Sequence, residues 1–187
     1  MKEDNPLPDP ESLVRENIAW MLSLARRILG NHRELADDTV QNAFIHAFRA
    51  LDNLSEPAKL KPWLRRITIN SALTELRTQN RQAEQPIDEL LSKFHQNDCR
   101  IEDRWSFLAR ADDVMENHHL RSLIENALEQ LPESYRLVLQ LRDAEGYDTN
   151  ETAELLQTTP SNVKIRLHRA RSAMKKLIEP VLRGDVT

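Results

Sequence analysis

Glycine, cysteine and aromatic residues are all scarce in this chain. Only three glycines occur among 187 residues, and aromatics make up 5%. Strand-like alternation is equally scarce, while Leu, Ala, Glu, Arg and Gln dominate. Together these point to an all-α protein. A single cysteine, Cys99, excludes an intramolecular disulfide and fits a reducing cytoplasm. No apolar run approaches ~18 residues, so no membrane span is expected, and no secretory leader is expected either. No glycine-rich phosphate loop occurs, nor any nucleophile–base pattern, so no enzymatic activity is expected. A surplus of positive charge is missing as well. There are 26 basic and 30 acidic residues, a net charge of -4. The total alone argues against nucleic acid, but its distribution argues the other way.

Positive charge collects in the last third. Residues 131–178 read LPESYRLVLQLRDAEGYDTNETAELLQTTPSNVKIRLHRARSAMKKLI. The pattern predicts a helix, a glycine break, a short helix, a tight turn and a long basic helix. That is a helix-turn-helix, the unit that lays its second helix into the DNA major groove. Asp148 followed by Glu151 is a capping-box start. Gln157 and Thr158 make the turn, and Thr159-Pro160 restarts the chain as a cap followed by proline at the first helical position. Val163, Leu167, Ala170, Met174 and Leu177 then form one apolar stripe. At ~100° per residue, Lys164, Ile165, His168, Arg169, Ser172 and Lys175 fall on the opposite side. From 160 to 183 there are seven Lys and Arg against one acid, Glu179. A merely solvated face usually mixes signs.

Upstream, two more regions differ in character. Residues 9–80 predict a small helical bundle. Its first helix starts at Asp9-Pro10, turns Val14, Ile18, Met21 or Leu22, Ala25 and Ile28 or Leu29 inward, and ends at Gly30-Asn31. Its second runs from Glu34 to Leu51 with Ala36, Val40, Ala43, Phe44, Ala47 and Leu51 as its core side. A loop over 54–61 leads into a third helix from Pro62-Trp63 to about Asn80, with Ile69, Leu73 and Leu76 inside. Residues 81–119 read as an acidic linker with transient helix near 87–94 and 101–108. From 84 to 119, nine acids face four bases. A second domain over 120–183 opens with Leu123, Ile124, Ala127, Leu128 and Leu131 on one helical stripe.

Three passages carry a family resemblance: ELADDTVQNAFIHAFRAL at 34–51, PWLRRITINSALTELR at 62–77, and the helix-turn-helix at 131–178. With the acidic linker between them, they resemble an RNA polymerase sigma factor of the extracytoplasmic-function (ECF) group, over nearly the whole chain from Val14 to Ile178. The resemblance implies two small helical domains joined by a flexible linker. It implies a cytoplasmic protein that binds core RNA polymerase and directs promoter-specific initiation, with no cofactor and no metal. On the 34–51 helix, Asp37, Asp38, Gln41 and Asn42 would meet the clamp of the largest polymerase subunit, and Ile45 is an apolar residue on the same outward side. The chain departs from the family at Asn42, where Glu is usual. The competing reading is that Asp37 and Asp38 simply favour the helix N-terminal dipole.

For the -10 element the resemblance implies Lys59 in the reading loop and Trp63, Arg66, Asn70 and Arg77 on one face of the third helix. An exposed aromatic beside arginines suits single-stranded DNA, because bases stack on the ring and phosphates pair with guanidinium groups. Trp63 reads equally as a core tryptophan. For the -35 element it implies Lys164, Ile165, His168 and Arg169, with Arg166 and Arg171 on phosphates. The flap of the second-largest polymerase subunit and an anti-sigma factor are the remaining implied partners; the latter could hold the chain at the inner membrane.

Two rival readings stand beside this one. An autonomous helix-turn-helix regulator would need a dimer interface to read a two-fold site, and no heptad seam is visible. A metal module could use His95, Cys99, His118 and His119, but no second pair at matching geometry accompanies His95-x3-Cys99.

Overall fold

A computed structural model of the chain describes residues 9–51, 54, 57–80 and 118–182. It divides into two compact units, residues 1–84 and 85–187. All regular structure among the described residues is helical. The linker reading, with its two transient helices, falls almost wholly outside the described residues.

The first unit holds α1 (Pro10–Leu29), α2 (Ala36–Ala50) and α3 (Leu60–Asn80). Asp9 caps α1, its Oδ1 accepting from the Glu11 and Ser12 N–H groups at 3.1 Å each. A hydrogen bond from the Ser12 side chain, followed by the Ser12 N–H bond, holds the Asp9 carboxyl below its usual pKa. Gly30 ends the helix at φ 58°, ψ -110°, a conformation open to glycine. A 3₁₀ segment, Gly30–Leu35, then carries the chain into α2. The second helix therefore starts at Ala36 rather than at Glu34, with no side-chain cap. A 3₁₀ turn at Pro57–Lys59 precedes α3, which begins at Leu60.

Leu13, Met21, Leu24, Ile28 and Leu29 of α1 meet Val40, Ala43 and Phe44 of α2 and Leu64, Ile69, Leu73 and Leu76 of α3 in the core. The expected inner stripes of α2 and α3 are as read, except that Leu51 lies past the end of α2 and is half-buried; the start of α1 is not as read. Leu13 and Asn17 are buried, whereas Ile18 is exposed and Val14 half-buried. Asn17 can be buried because its polar atoms are satisfied locally. Its Nδ2 donates to the Leu13 carbonyl at 2.8 Å, and its Oδ1 accepts from Trp20 Nε1 at 2.9 Å.

The second unit holds α4 (His118–Glu129), α5 (Glu133–Leu139), a π turn (Gln140–Ala144), α6 (Thr149–Leu155) and α7 (Pro160–Leu182). Ile124, Ala127, Leu131, Tyr135, Val138, Leu139, Ala153, Val163, Leu167, Ala170, Ala173, Met174 and Ile178 form one buried cluster, with Leu123, Leu128 and Leu177 packed on its edge. The stripes expected for α4 and α7 are all in it.

Candidate polymerase and nucleic-acid surfaces

The helix-turn-helix is assembled by local hydrogen bonds. Asp148 Oδ1 accepts from the Asn150 and Glu151 N–H groups at 2.7 and 2.8 Å, and the Asp148 N–H donates to Glu151 Oε2 at 2.7 Å. The expected capping box is complete. At the other end of α6, Gln157 takes the left-handed conformation, φ 52°. The Thr158 N–H donates to the Ala153 carbonyl at 2.9 Å and the Gln157 N–H to that of Glu154 at 3.2 Å. These two bonds make a Schellman turn, normally closed by glycine. Thr159 Oγ1 then accepts from the Asn162 N–H at 3.2 Å, starting α7 with Pro160 in its first turn.

With Val163, Leu167, Ala170 and Met174 buried, Lys164, Ile165, His168 and Arg169 are brought together on the exposed side of α7. Ile165 is 47% exposed. Arg166 is half-buried beside this face. Arg171, expected at phosphate, has a different engagement. Its Nε and Nη2 donate to Asp143 Oδ2 and Oδ1 at 2.9 and 2.6 Å, across 28 residues of sequence. The Asp143 side chain is 8% exposed and that of Arg171 34%. The hydrogen bonds to Asp143 raise the Arg171 pKa further. The pair ties α7 to the π turn ahead of α6. On the same turn, Arg142 Nη1 donates to the Tyr147 carbonyl, so the segment leading into α6 is braced from two adjacent residues.

In the first unit, Asp37, Asp38, Gln41, Asn42 and Ile45 are all exposed on α2. Ile45 is 41% exposed, and Phe48, one turn on, is 38% exposed while stacking on Phe44 at 6.1 Å between centroids. Phe48 is missing from the sequence-derived set, although its i+3 spacing from Ile45 is a usable signal. Asp37 lies 3.6 Å from Arg26, an exposed pair worth little to stability.

On α3, Arg66 and Asn70 are exposed, Arg77 is half-buried, and Lys59 is exposed on the preceding 3₁₀ turn. Trp63 lies between its two readings, being half-buried. The remaining loop residues 52–53 and 55–56 lie outside the described set.

Among the described residues, no group of three His, Cys, Asp or Glu could hold a metal ion. His95 and Cys99 fall outside that set. Likewise, no described helix is long and apolar enough to cross a membrane.

Comparison with known proteins agrees with both units. Residues 13–82 match the family model for Sigma-70 region 2, and residues 121–174 match that for Sigma-70, region 4. The chain is 30% identical to the RNA polymerase sigma-H factor of Pseudomonas aeruginosa over 164 residues, covering 87% of this chain and 82% of that protein. It is 29% identical to the ECF RNA polymerase sigma-E factor of Escherichia coli K12 over 147 residues, covering 78% and 75%. The fold resembles the sigma factor RpoE of Bartonella quintana, solved in complex with the anti-sigma factor NepR. That match has a TM-score of 0.57 at 18% identity and covers 90% of this chain and 96% of that one.

Proposed function

The chain belongs to the sigma-70 family of RNA polymerase sigma factors, in its extracytoplasmic-function group, and from this we propose how its surfaces divide the work of initiation. It is a transcription initiation factor rather than an enzyme. The outer face of α2, from Asp37, Asp38, Gln41 and Asn42 to Ile45, binds the clamp of core polymerase. Lys59, Trp63, Arg66, Asn70 and Arg77 engage the opened -10 element. Lys164, Ile165, His168 and Arg169 enter the major groove at the -35 element, with Arg166 on phosphate. Arg171 acts mainly through Asp143, fixing the pitch of α7.

One observation carries this division. Within a single chain, α2 turns acids, amides and an exposed isoleucine outward, whereas α7 turns cations outward from an equally apolar inner stripe. The first face repels phosphate and suits protein; the second attracts it. Base-edge contacts specify the sequence, while phosphate contacts set the register. A half-buried Trp63 suits strand opening, since an anchored ring can stack on an extruded base.

The second unit also contacts the flap of the second-largest polymerase subunit, and an anti-sigma factor holds the chain inactive until a signal releases it. The fold match to a sigma factor solved with its anti-sigma partner supports that last element. The deciding experiment is capture of purified core RNA polymerase by the chain, followed by run-off transcription from a genomic promoter library. Stable capture with transcription from a discrete promoter set is expected. Failure to capture core in the absence of a co-purified inhibitor would overturn the assignment.

A further inference from the structure

A groove of about 510 Å³ runs between α2 and α3. Thr39, Asn42 and His46 line it from α2, and Ile67, Asn70, Ser71, Thr74 and Glu75 from α3. Amides and hydroxyls dominate, and neither lysine nor arginine contributes to the lining. One buried group in it is unsatisfied. Thr39 is 2% exposed, and its hydroxyl has no hydrogen-bond partner. Glu75 is half-buried. It accepts a hydrogen bond from Gln79 Nε2 at 3.0 Å and has no cationic partner among the described residues. A cation seated beside the Glu75 carboxylate gains a charge-assisted hydrogen bond there.

The groove is continuous with the outer face of α2. Asp38, Asn42 and His46 recur every four residues along one side of that helix, and Asn42 belongs to both surfaces. We propose that the groove seats a basic side chain of the polymerase clamp, with Glu75 as its counter-ion. The polymerase-binding surface then extends from α2 onto α3, where sequence reasoning found only DNA contacts. The inference presupposes that α2 binds the clamp. The absence of lysine and arginine from the groove disfavours a phosphate-bearing occupant, while the polar lining offers acceptors to an ammonium or guanidinium group.

The test uses the full chain and purified core RNA polymerase, with affinity measured at two salt concentrations. Glu75→Gln should weaken core binding about three- to tenfold and flatten its salt dependence. Glu75→Lys should weaken it further. Ser71→Arg, which sets the chain's own cation one turn from Glu75, should compete with the incoming side chain and weaken binding independently. Wild-type affinity in Glu75→Lys and Ser71→Arg, alongside weakened binding by Asp38→Lys, would remove the groove from the interface and leave the α2 assignment standing. Wild-type affinity in all three would overturn the α2 assignment and this inference together. Unchanged core affinity with slowed promoter opening in Glu75→Gln would assign the groove to an extruded base instead, and overturn the proposal.

Discussion

The helices α2 and α7 are built alike on the inside and oppositely on the outside. Each buries a continuous apolar stripe, Ala36 to Ala47 in one and Val163 to Ile178 in the other. Outward, α2 carries Asp37, Asp38, Gln41 and Asn42, whereas α7 carries Lys164, His168 and Arg169. Inner stripes therefore reveal where a helix packs and nothing about what it meets. Partner class is written on the outer face, and the net charge of -4 averages the two faces into a misleading total. Exposed apolar residues add to this. Ile45 and Phe48 on α2 form a small ridge suited to a protein surface, while Ile165 stands alone among cations.

The sharpest way to break this comparison is to invert the sign on one helix only. Lys164→Glu with Arg169→Glu should lower -35-dependent transcription by roughly 100-fold or more, since two phosphate or base contacts become repulsive. Core polymerase affinity should stay at the wild-type level in the same preparation. A parallel loss of core binding would mean that the α7 face is not a dedicated DNA surface.

A second break targets how α7 is held rather than what it presents. Asp143→Asn leaves the Arg171 guanidinium partly buried without its carboxylate, and should cost about 2 kcal/mol of stability to the second unit. Urea denaturation monitored by circular dichroism checks it. Asp143→Glu should retain most of the pair, so a Glu variant as unstable as the Asn variant would show that the fork geometry, and not the charge, matters. The third intervention sharpens the difference between α3 and α7. Trp63→Ala should leave closed-complex formation intact and slow opening about tenfold, the stacking of one base on an aromatic being worth ~1–3 kcal/mol. Permanganate reactivity of unpaired thymines reports it. Normal opening would return Trp63 to a packing role.

Much of this was legible from periodicity and caps. The α2, α3, α4 and α7 stripes, the capping box at Asp148 and the restart at Thr159-Pro160 are all local, so a single stretch of sequence encodes them. What escaped was of two kinds. The start of α1 was misjudged because a hydropathy pattern favours Ile18 over Asn17, and it cannot register that Asn17 satisfies its own amide through Leu13 and Trp20. The tie between Arg171 and Asp143 is the other kind, since the two lie 28 residues apart, a separation at which no local rule pairs side chains. The groove residues Thr39, His46 and Glu75 escaped for a similar reason, since they converge only when α2 packs on α3.

Gln157 gives the mildest test, and it bears on the helix-turn-helix alone. Its φ of 52° is left-handed, and a side chain there meets the steric cost that glycine avoids. The residue is exposed, so little packing is lost on removing its side chain. Gln157→Gly should thus raise the stability of the second unit by about 0.5–1 kcal/mol, less the extra freedom that glycine gives the unfolded chain. The Schellman bonds from Gln157 and Thr158 to Glu154 and Ala153 would be kept, and with them the angle between α6 and α7. Promoter affinity should then be unchanged while the denaturation midpoint rises. A fall in stability would mean that the Gln157 side chain contributes more to the turn than its exposed position implies. A gain in stability accompanied by weaker -35 binding would show that strain in the turn helps to set α7 in the groove.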